Sequence, residues 1–196
     1  MEIILASASP RRREILENLG LDFEIVVSNA DESCEISDAS ELVSELSERK
    51  AMAVLKMLRD EGRCTDDMLI IGCDSVVVLN GEILGKPRDR AHALYMLRGL
   101  SDNSHSVISG LTLLYKGKAY TDFEKTEVYF DTISEDEIKR YVASGESDDK
   151  AGGYAIQGKA ARFIKGISGC YYNVVGLPVH LMCKMAENNG ILLFED

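Results

Sequence analysis

The sequence lacks a broad excess of positive charge. Its 196 residues carry 33 acidic and 22 basic side chains, which gives a formal net charge of -11 at pH 7. Because long nucleic acids bind surfaces rich in lysine and arginine, we expect no such partner. Any phosphate chemistry must therefore depend on a local group of cations or on a bound metal ion.

Long apolar runs and paired-cysteine motifs are also missing. No stretch approaches the ~18 consecutive apolar residues that a membrane-spanning helix needs, so we expect no membrane contact. The five cysteines are odd in number and include no C-x-x-C pair. This pattern argues against a disulfide framework or a zinc knuckle. Buried thiols in a reducing compartment are the simple interpretation, and we expect a cytoplasmic protein.

Strand and helix patterns alternate along the chain. The hydrophobic content of 45% suits one compact domain, which we predict over residues 1–196. Short apolar runs, helical periodicity and capping residues locate the elements. Strands are predicted at residues 3–6, 23–27, 69–79, 82–84, 105–115, 120–130, 171–177 and 191–194, and helices at residues 11–19, 39–59, 89–98, 134–143 and from residue 178 onward. A hairpin turn at Asn80-Gly81 combined with strand–helix alternation predicts an α/β fold with a mixed sheet.

The first candidate site joins the first strand to the first helix. Ser9 has the preferred side chain for a helix N-cap, and Pro10 suits the first helical position. Backbone N–H groups at such a terminus favour anions, Ser7 can donate a hydrogen bond, and Arg11 and Arg12 can grip phosphate oxygens. An ordinary surface helix with solvated arginines is the alternative, because cations at a helix N-terminus are mildly unfavourable.

Two charged residues interrupt apolar patterns. Asp74 lies within a core strand, where a carboxylate is costly unless it is paired or binds a metal, although strand alternation could turn it outward. Lys50 falls on the apolar stripe of the long second helix and either extends to solvent or reaches into a cleft.

Glu32 lies in a polar loop. Its carboxylate offers the oxygen ligands that magnesium or manganese prefers, or is simply solvated.

Two further segments combine glycine with cations. Lys86 lies between Gly85 and Pro87 at a strand end. In residues 149–158, Lys150 and Gln157 bracket a pair of glycines. Glycine permits close approach of the backbone to a ligand, but such a segment is also typical of a flexible turn. The three histidines have no metal-ligand spacing, and the role of His105 stays open.

Six segments, taken in chain order, carry these candidates. They are Leu5-Ala6-Ser7-Ala8-Ser9-Pro10-Arg11-Arg12, Glu48-Arg49-Lys50-Ala51, Gly72-Cys73-Asp74-Ser75-Val76-Val77, Gly85-Lys86-Pro87, residues 149–158 and Asn173-Val174-Val175-Gly176-Leu177-Pro178. Together they resemble the motifs of the Maf family of nucleoside triphosphate pyrophosphatases, over nearly the whole chain. The resemblance implies an α/β fold with an elongated, curved mixed sheet flanked by helices and a cleft between two lobes.

The resemblance also implies a reaction and a set of roles. The reaction is hydrolysis of a nucleoside triphosphate between its α- and β-phosphates, assisted by a divalent cation, Mg²⁺ or Mn²⁺. The resemblance implies that Asp74 is the proton acceptor and that Glu32 and Asp74 bind the metal. It implies that the phosphates are bound by Arg12, Lys50, Lys86 and Lys150, with help from Ser7 and Ser9. It implies that the choice of substrate depends on Arg11, Ser75 and Gln157. Whether Asp74 acts as base or mainly as metal ligand stays open.

The substrate is less firmly implied than the reaction. Lys86 and Gln157 resemble the branch of the family that takes dTTP and UTP. Purine or modified nucleotides are one alternative, and a nucleotide-binding regulator of septum formation with little catalysis is another. The sequence departs from the usual family pattern at three positions. Ser75 replaces a common threonine, Ser147 replaces a frequent proline, and Cys170 replaces a small residue. None of these changes removes a proposed catalytic group. A homodimer is common for such folds.

Overall fold

Strands and helices alternate along the folded chain. This computed structural model describes residues 1–194. Its elements are β1 (Glu2–Leu5), α1 (Pro10–Asn18), β2 (Glu24–Ile25), α2 (Ala39–Asp60), β3 (Met68–Leu79), β4 (Glu82–Leu84), α3 (Arg90–Leu100), β5 (Ser104–Tyr115), β6 (Lys118–Phe130), α4 (Glu135–Ala143), β7 (Ile164–Ser168), α5 (Tyr171–Val175) and α6 (Val179–Asn188), with two short 3-10 turns at Ala151–Gly153 and Lys159–Phe163. No helix within this described part is long and apolar enough to cross a bilayer.

The strands of residues 1–194 form one mixed sheet of seven strands. Its order is β2-β1-β3-β5-β6-β7, with β4 paired to β3. Strand β1 runs parallel to β2 and β3, whereas the pairs β3–β4 and β6–β7 are antiparallel. The prediction of an α/β fold with a mixed sheet flanked by helices is therefore confirmed.

The chain divides into two compact units. The first contains Met1–Asp74, Ser109–Glu124 and the chain from Gly176 onward, and the second contains Ser75–Ile108 and Lys125–Val175. Each unit has its own apolar core. Ile4, Val54 and Ile70 are among the buried residues of the first unit. The prediction of a single domain over residues 1–196, and those of an elongated, curved sheet and a cleft, stay predictions.

Helix α2 lies directly on the sheet of the first unit. A Cβ added at Gly72 of β3 would overlap the carbonyl oxygen of Ser47, and one added at Gly110 of β5 would overlap that of Val43. No side chain can therefore stand between the helix backbone and the two strands at these points. This contact fixes the depth at which α2 presents its inner side chains.

The prediction of a strand over residues 171–177 is wrong. Residues Tyr171–Val175 form helix α5, because short apolar runs do not distinguish a strand from a buried helical turn. Side-chain hydrogen bonds hold this segment. The buried amide of Asn173 donates to the carbonyl oxygen of Val107 and to the hydroxyl of Thr126, each at 3.0 Å.

Two other strand assignments also differ from prediction. Strand β7, which the sequence analysis missed, pairs with β6. Residues 191–194 form no strand. Instead, the N–H of Ile191 donates to the carbonyl oxygen of Ala186 at 2.9 Å, and Gly190 takes a left-handed φ of 66°, so the segment closes the end of α6.

Candidate active site

Lys50 bridges two carboxylates in the first unit. Its Nζ lies 2.5 Å from Oδ1 of Asp74 and 3.0 Å from Oε1 of Glu32. The side chains of Lys50 and Asp74 are only 12% and 14% exposed, whereas that of Glu32 is 64% exposed. Asp74 and Lys50, the two charged residues that interrupt apolar patterns in the sequence, therefore form an ion pair with each other. The alternative in which Lys50 extends to solvent is wrong.

The packing of α2 explains how this pair forms. Gly72 and Asp74 are two residues apart in β3, so their side-chain positions share one face of the strand. Gly72 lets the helix backbone touch that face at Ser47, one helical turn before Lys50. The lysine then reaches Asp74 on the same face.

Arg12 fixes the backbone next to Asp74. Its Nη1 donates to the carbonyl oxygen of Cys73 at 2.6 Å and to the hydroxyl of Ser7 at 3.1 Å, and its Nε donates to the carbonyl oxygen of Gly176 at 2.7 Å. The side chain is buried, with 8% exposure, so the alternative of a solvated arginine is wrong. Arg12 thus ties the segment after β1 and the middle of β3 to the turn before α6.

The N-terminus of α1 is capped differently from prediction. Ser9 is the N-cap residue and Pro10 follows it, but the Ser9 side chain makes no capping hydrogen bond. Instead, the hydroxyl of Ser7 accepts from the N–H of Ser9 at 3.2 Å. The same hydroxyl also accepts a hydrogen bond from Arg12. Ser9 and Arg11 are half-buried on the same turn.

Arg49 holds the loop that carries Glu32, a role that the sequence analysis missed. Its Nη1 donates to the carbonyl oxygens of Ser33 at 3.0 Å and Asp31 at 3.4 Å, on either side of Glu32. Its Nε pairs with Glu45, one turn back in the helix, at 2.7 Å. Only this local pair is visible in sequence spacing, so no pattern indicated the contact with the loop.

The glycine-rich segment of the second unit packs against β3. The N–H of Gly152 donates to the carbonyl oxygen of Gly85 at 3.0 Å, which places the segment beside Lys86. Gly152 has a φ of 68°, and an added Cβ would lie 2.9 Å from Cγ2 of Val77. Glycine is needed here for both conformation and space.

The remaining predicted residues of the second unit differ in exposure. Lys150 is 15% exposed, and its Nζ lies 2.6 Å from Oδ1 of Asp149. Lys86 and Gln157 are exposed, and Ser75, which directly follows Asp74 in the chain, is half-buried. The structure thus brings together the backbones around Lys86 and Lys150 within this unit.

His105 lies in the core of the second unit. It is 2% exposed, and its Nε2 lies 2.7 Å from the hydroxyl oxygen of Tyr154. The rings of His105, Tyr154 and Phe130 meet edge to face, with centroids 4.9–5.2 Å apart. Burial lowers the pKa of His105 to about 4, and the nearby Glu127 only partly opposes this effect. The imidazole is therefore neutral at neutral pH.

We predict that His105 makes the folded protein sensitive to mild acid. Its pKa is about 4 when folded, against an ordinary value of 6.5, so the unfolded chain binds the proton first. The stability it contributes is complete above pH 6.5 and is lost as the pH falls toward 4. Between pH 7 and pH 5 the free energy of unfolding should fall by about 2 kcal/mol from this group. Urea unfolding at both pH values measures this loss.

The control for this prediction is the exposed His180. The variant His105→Gln should show a smaller drop between the two pH values, whereas His180→Gln should keep the drop of the wild type. An equal drop in all three proteins would contradict the assignment to His105.

The described carboxylates and thiols form no preassembled metal cluster. Within residues 1–194, no three His, Cys, Asp or Glu side chains lie close enough together to hold an ion. Glu32 and Asp74 nevertheless converge on one point, where Lys50 Nζ lies. None of the five cysteines, all of which lie in this part of the chain, forms a disulfide.

The chain is similar to a known family along nearly its whole length. Residues 2–189 match the family model described as Maf-like protein. The dTTP/UTP pyrophosphatase of Clostridium acetobutylicum is 49% identical over 98% of this chain and 100% of its own length. Two further proteins with that name, from Pelotomaculum thermopropionicum and Desulforamulus reducens, are 48% and 50% identical, each over 96% of this chain and 97% of their own length.

Proposed function

Because the chain belongs to the Maf family, we propose that it hydrolyses dTTP and UTP to the nucleoside monophosphate and pyrophosphate. It is then a nucleoside triphosphate pyrophosphatase, a hydrolase of phosphoric anhydride bonds. The structural observation that carries the proposal is the ion pair between Asp74 and Lys50 at 2.5 Å. In this proposal Asp74, in the middle of strand β3, is the proton acceptor and Lys50 is the cation beside it.

In the proposed reaction these two groups act together. The oxygen of a water molecule attacks the α-phosphorus, and its proton passes to the carboxylate of Asp74. The bond between the α-phosphorus and the bridging oxygen breaks, and pyrophosphate leaves with the electron pair. Lys50 is a cation next to this carboxylate, so it offsets negative charge that grows on the phosphates.

We assign a supporting role to the N-terminus of α1. Ser7, Ser9, Arg11 and Arg12 are proposed to bind phosphate oxygens, as the family resemblance implies, and the helix dipole favours anions there. The hydrogen bonds of Arg12 to Cys73 and Ser7 give it a second task. It fixes the middle part of strand β3, from which Asp74 projects.

The carboxylates of the site suit a divalent cation. Oxygen atoms of Glu32 and Asp74 both lie within 3.0 Å of Lys50 Nζ, so the two carboxylates already share one cation, the ammonium group of Lys50. Magnesium and manganese prefer oxygen ligands, and magnesium is commonly held by one or two carboxylates together with substrate phosphates. We therefore propose that Glu32 and Asp74 hold Mg²⁺ or Mn²⁺. When bound, the ion supplies positive charge that stabilises the leaving pyrophosphate.

The second unit contributes further proposed contacts. Lys86 and Lys150 are assigned to phosphates, and Ser75 and Gln157, together with Arg11, to nucleotide preference. The hydrogen bond from Gly152 to Gly85 supports a shared role for the two lysine-bearing segments. A cytoplasmic location and a homodimer stay predictions.

We predict that Gln157→Ala weakens the preference for pyrimidine nucleotides. An amide that hydrogen-bonds the base edge discriminates through the groups that a wrong base leaves unpaired, so its loss should lower the ratio of kcat/KM for UTP over ATP about tenfold. Steady-state kinetics on both nucleotides measure this ratio. Lys159→Ala is the control, because Lys159 is also exposed and close in sequence. An unchanged ratio in Gln157→Ala would show that Gln157 does not select the base.

The proposed function is tested by pyrophosphate release from a panel of nucleoside triphosphates with Mg²⁺ or Mn²⁺. We expect the fastest release from dTTP and UTP. Faster turnover of purine or modified nucleotides would overturn the assignment of substrate while keeping the reaction. No release from any nucleotide would favour the alternative of a nucleotide-binding regulator.

A further inference from the structure

The hydrolytic mechanism gives no task to the buried side chain of His105. His105 is 2% exposed, and its Nδ1 has no hydrogen-bond partner among the residues that the structure describes. Burying an unsatisfied ring nitrogen is costly, so packing alone does not explain a histidine at this position. Its single strong contact is the hydrogen bond of 2.7 Å between Nε2 and the hydroxyl of Tyr154. Local conflicts of this kind are typical of functional sites.

Tyr154 anchors the glycine-rich segment. Residues 149–158 are all described, and Tyr154 is the one residue larger than glycine that is buried among them. Its ring packs edge to face on His105 and Phe130. Just before it, Gly152 and Gly153 both take left-handed φ values, near 70°, so the backbone turns sharply into the anchor. The position of the segment therefore depends on how Tyr154 is held.

The residues assigned to the nucleotide flank this anchor. Lys150 lies four residues before Tyr154, and Gln157 lies three residues after it. A displacement of Tyr154 is therefore expected to move the backbone that carries both side chains. The hydrogen bond to His105 opposes such movement, because it fixes the hydroxyl end of the ring deep in the core.

We propose that His105 is a positioning residue for substrate binding, which acts by holding Tyr154 and, through it, the segment of residues 149–158. This inference rests on the proposed function, in which Lys150 and Gln157 contact the nucleotide. Since His105 itself touches no reacting group, its loss should weaken nucleotide binding and leave the chemical step intact.

The test compares Tyr154→Phe, which keeps the ring and removes the hydroxyl, with His105→Leu and His105→Gln. We expect KM for UTP to rise about fivefold in the first two variants, the factor that one net hydrogen bond corresponds to, with kcat within about twofold of wild type. His105→Gln should lie between these and wild type, because its amide can still meet the hydroxyl. Amide hydrogen exchange of residues 149–158 should be faster in Tyr154→Phe and His105→Leu.

The neighbouring Ser106 provides a matched control. Its hydroxyl donates to Glu127 at 2.7 Å, outside the pair, so Ser106→Ala should keep wild-type KM and exchange in residues 149–158. Unchanged exchange or unchanged KM in folded Tyr154→Phe would overturn the proposal. If His105→Leu fails to fold, the result for Tyr154→Phe alone decides the proposal. Absence of pyrophosphate release from wild type would instead refute the proposed function, and the exchange comparison would still decide whether His105 holds the segment.

Discussion

The variant Asp74→Asn should release pyrophosphate from UTP about 10³-fold more slowly than wild type while still binding the nucleotide. Asparagine matches aspartate in size, and its oxygen can still accept the hydrogen bond from Lys50, so the site should keep its shape. The amide cannot take a proton from water. Turnover is measured by pyrophosphate release, and binding by calorimetry with UTP.

The exposed Asp66, just before β3, provides the control. Asp66→Asn also removes one negative charge from the first unit and should leave turnover and binding unchanged. Turnover by Asp74→Asn close to the wild-type rate would exclude Asp74 as the base. Asp74 would also be excluded as the base if Asp74→Asn lost UTP binding but kept the wild-type rate per bound nucleotide.

The second large effect is expected from Gly72→Ala. The new methyl group would overlap the carbonyl oxygen of Ser47 and contact Cβ of Ala51 at 3.0 Å, so helix α2 must move off the strand. Overpacking of this kind lowers the free energy of unfolding by about 1–3 kcal/mol. The same shift separates Lys50 from Asp74, and a misplacement of about 1 Å is expected to lower kcat about 10²-fold.

The variant Gly166→Ala is the control, because it also replaces a glycine in a strand by alanine but creates no steric overlap. A Cβ at Gly166 would meet no atom within 4 Å, so this variant should resemble wild type in both measurements. Urea unfolding gives the stability, and kcat is measured under conditions where each variant is folded. Wild-type stability and kcat in Gly72→Ala would show that the contact between α2 and β3 does not position Lys50.

Two residues of the candidate site could be singled out from the sequence because they conflict with local patterns. Asp74 stands in an apolar strand, and Lys50 stands on the apolar face of a helix. Each conflict alone had an ordinary explanation. The structure resolves both at once, because the two side chains pair at 2.5 Å. Strongly periodic elements such as α2 and β3 were likewise predicted to within one residue at each end.

Contacts between residues far apart in sequence could not be predicted. Arg12 reaches the carbonyl oxygen of Gly176, which is 164 positions away, and His105 meets Tyr154 across 49 positions. No spacing rule links such pairs, since they depend on how the whole fold brings distant segments together. Helix α5 was missed for a related reason, because the side chain of Asn173, and not a strand ladder, holds it in place.

The most direct test of the proposed reaction is hydrolysis of UTP in water labelled with heavy oxygen, followed by mass analysis of the products. Attack on the α-phosphorus by water, with Asp74 as proton acceptor, places the label in UMP and leaves pyrophosphate unlabelled. We predict this result for wild type. Label in pyrophosphate, or formation of UDP with labelled phosphate, would contradict it.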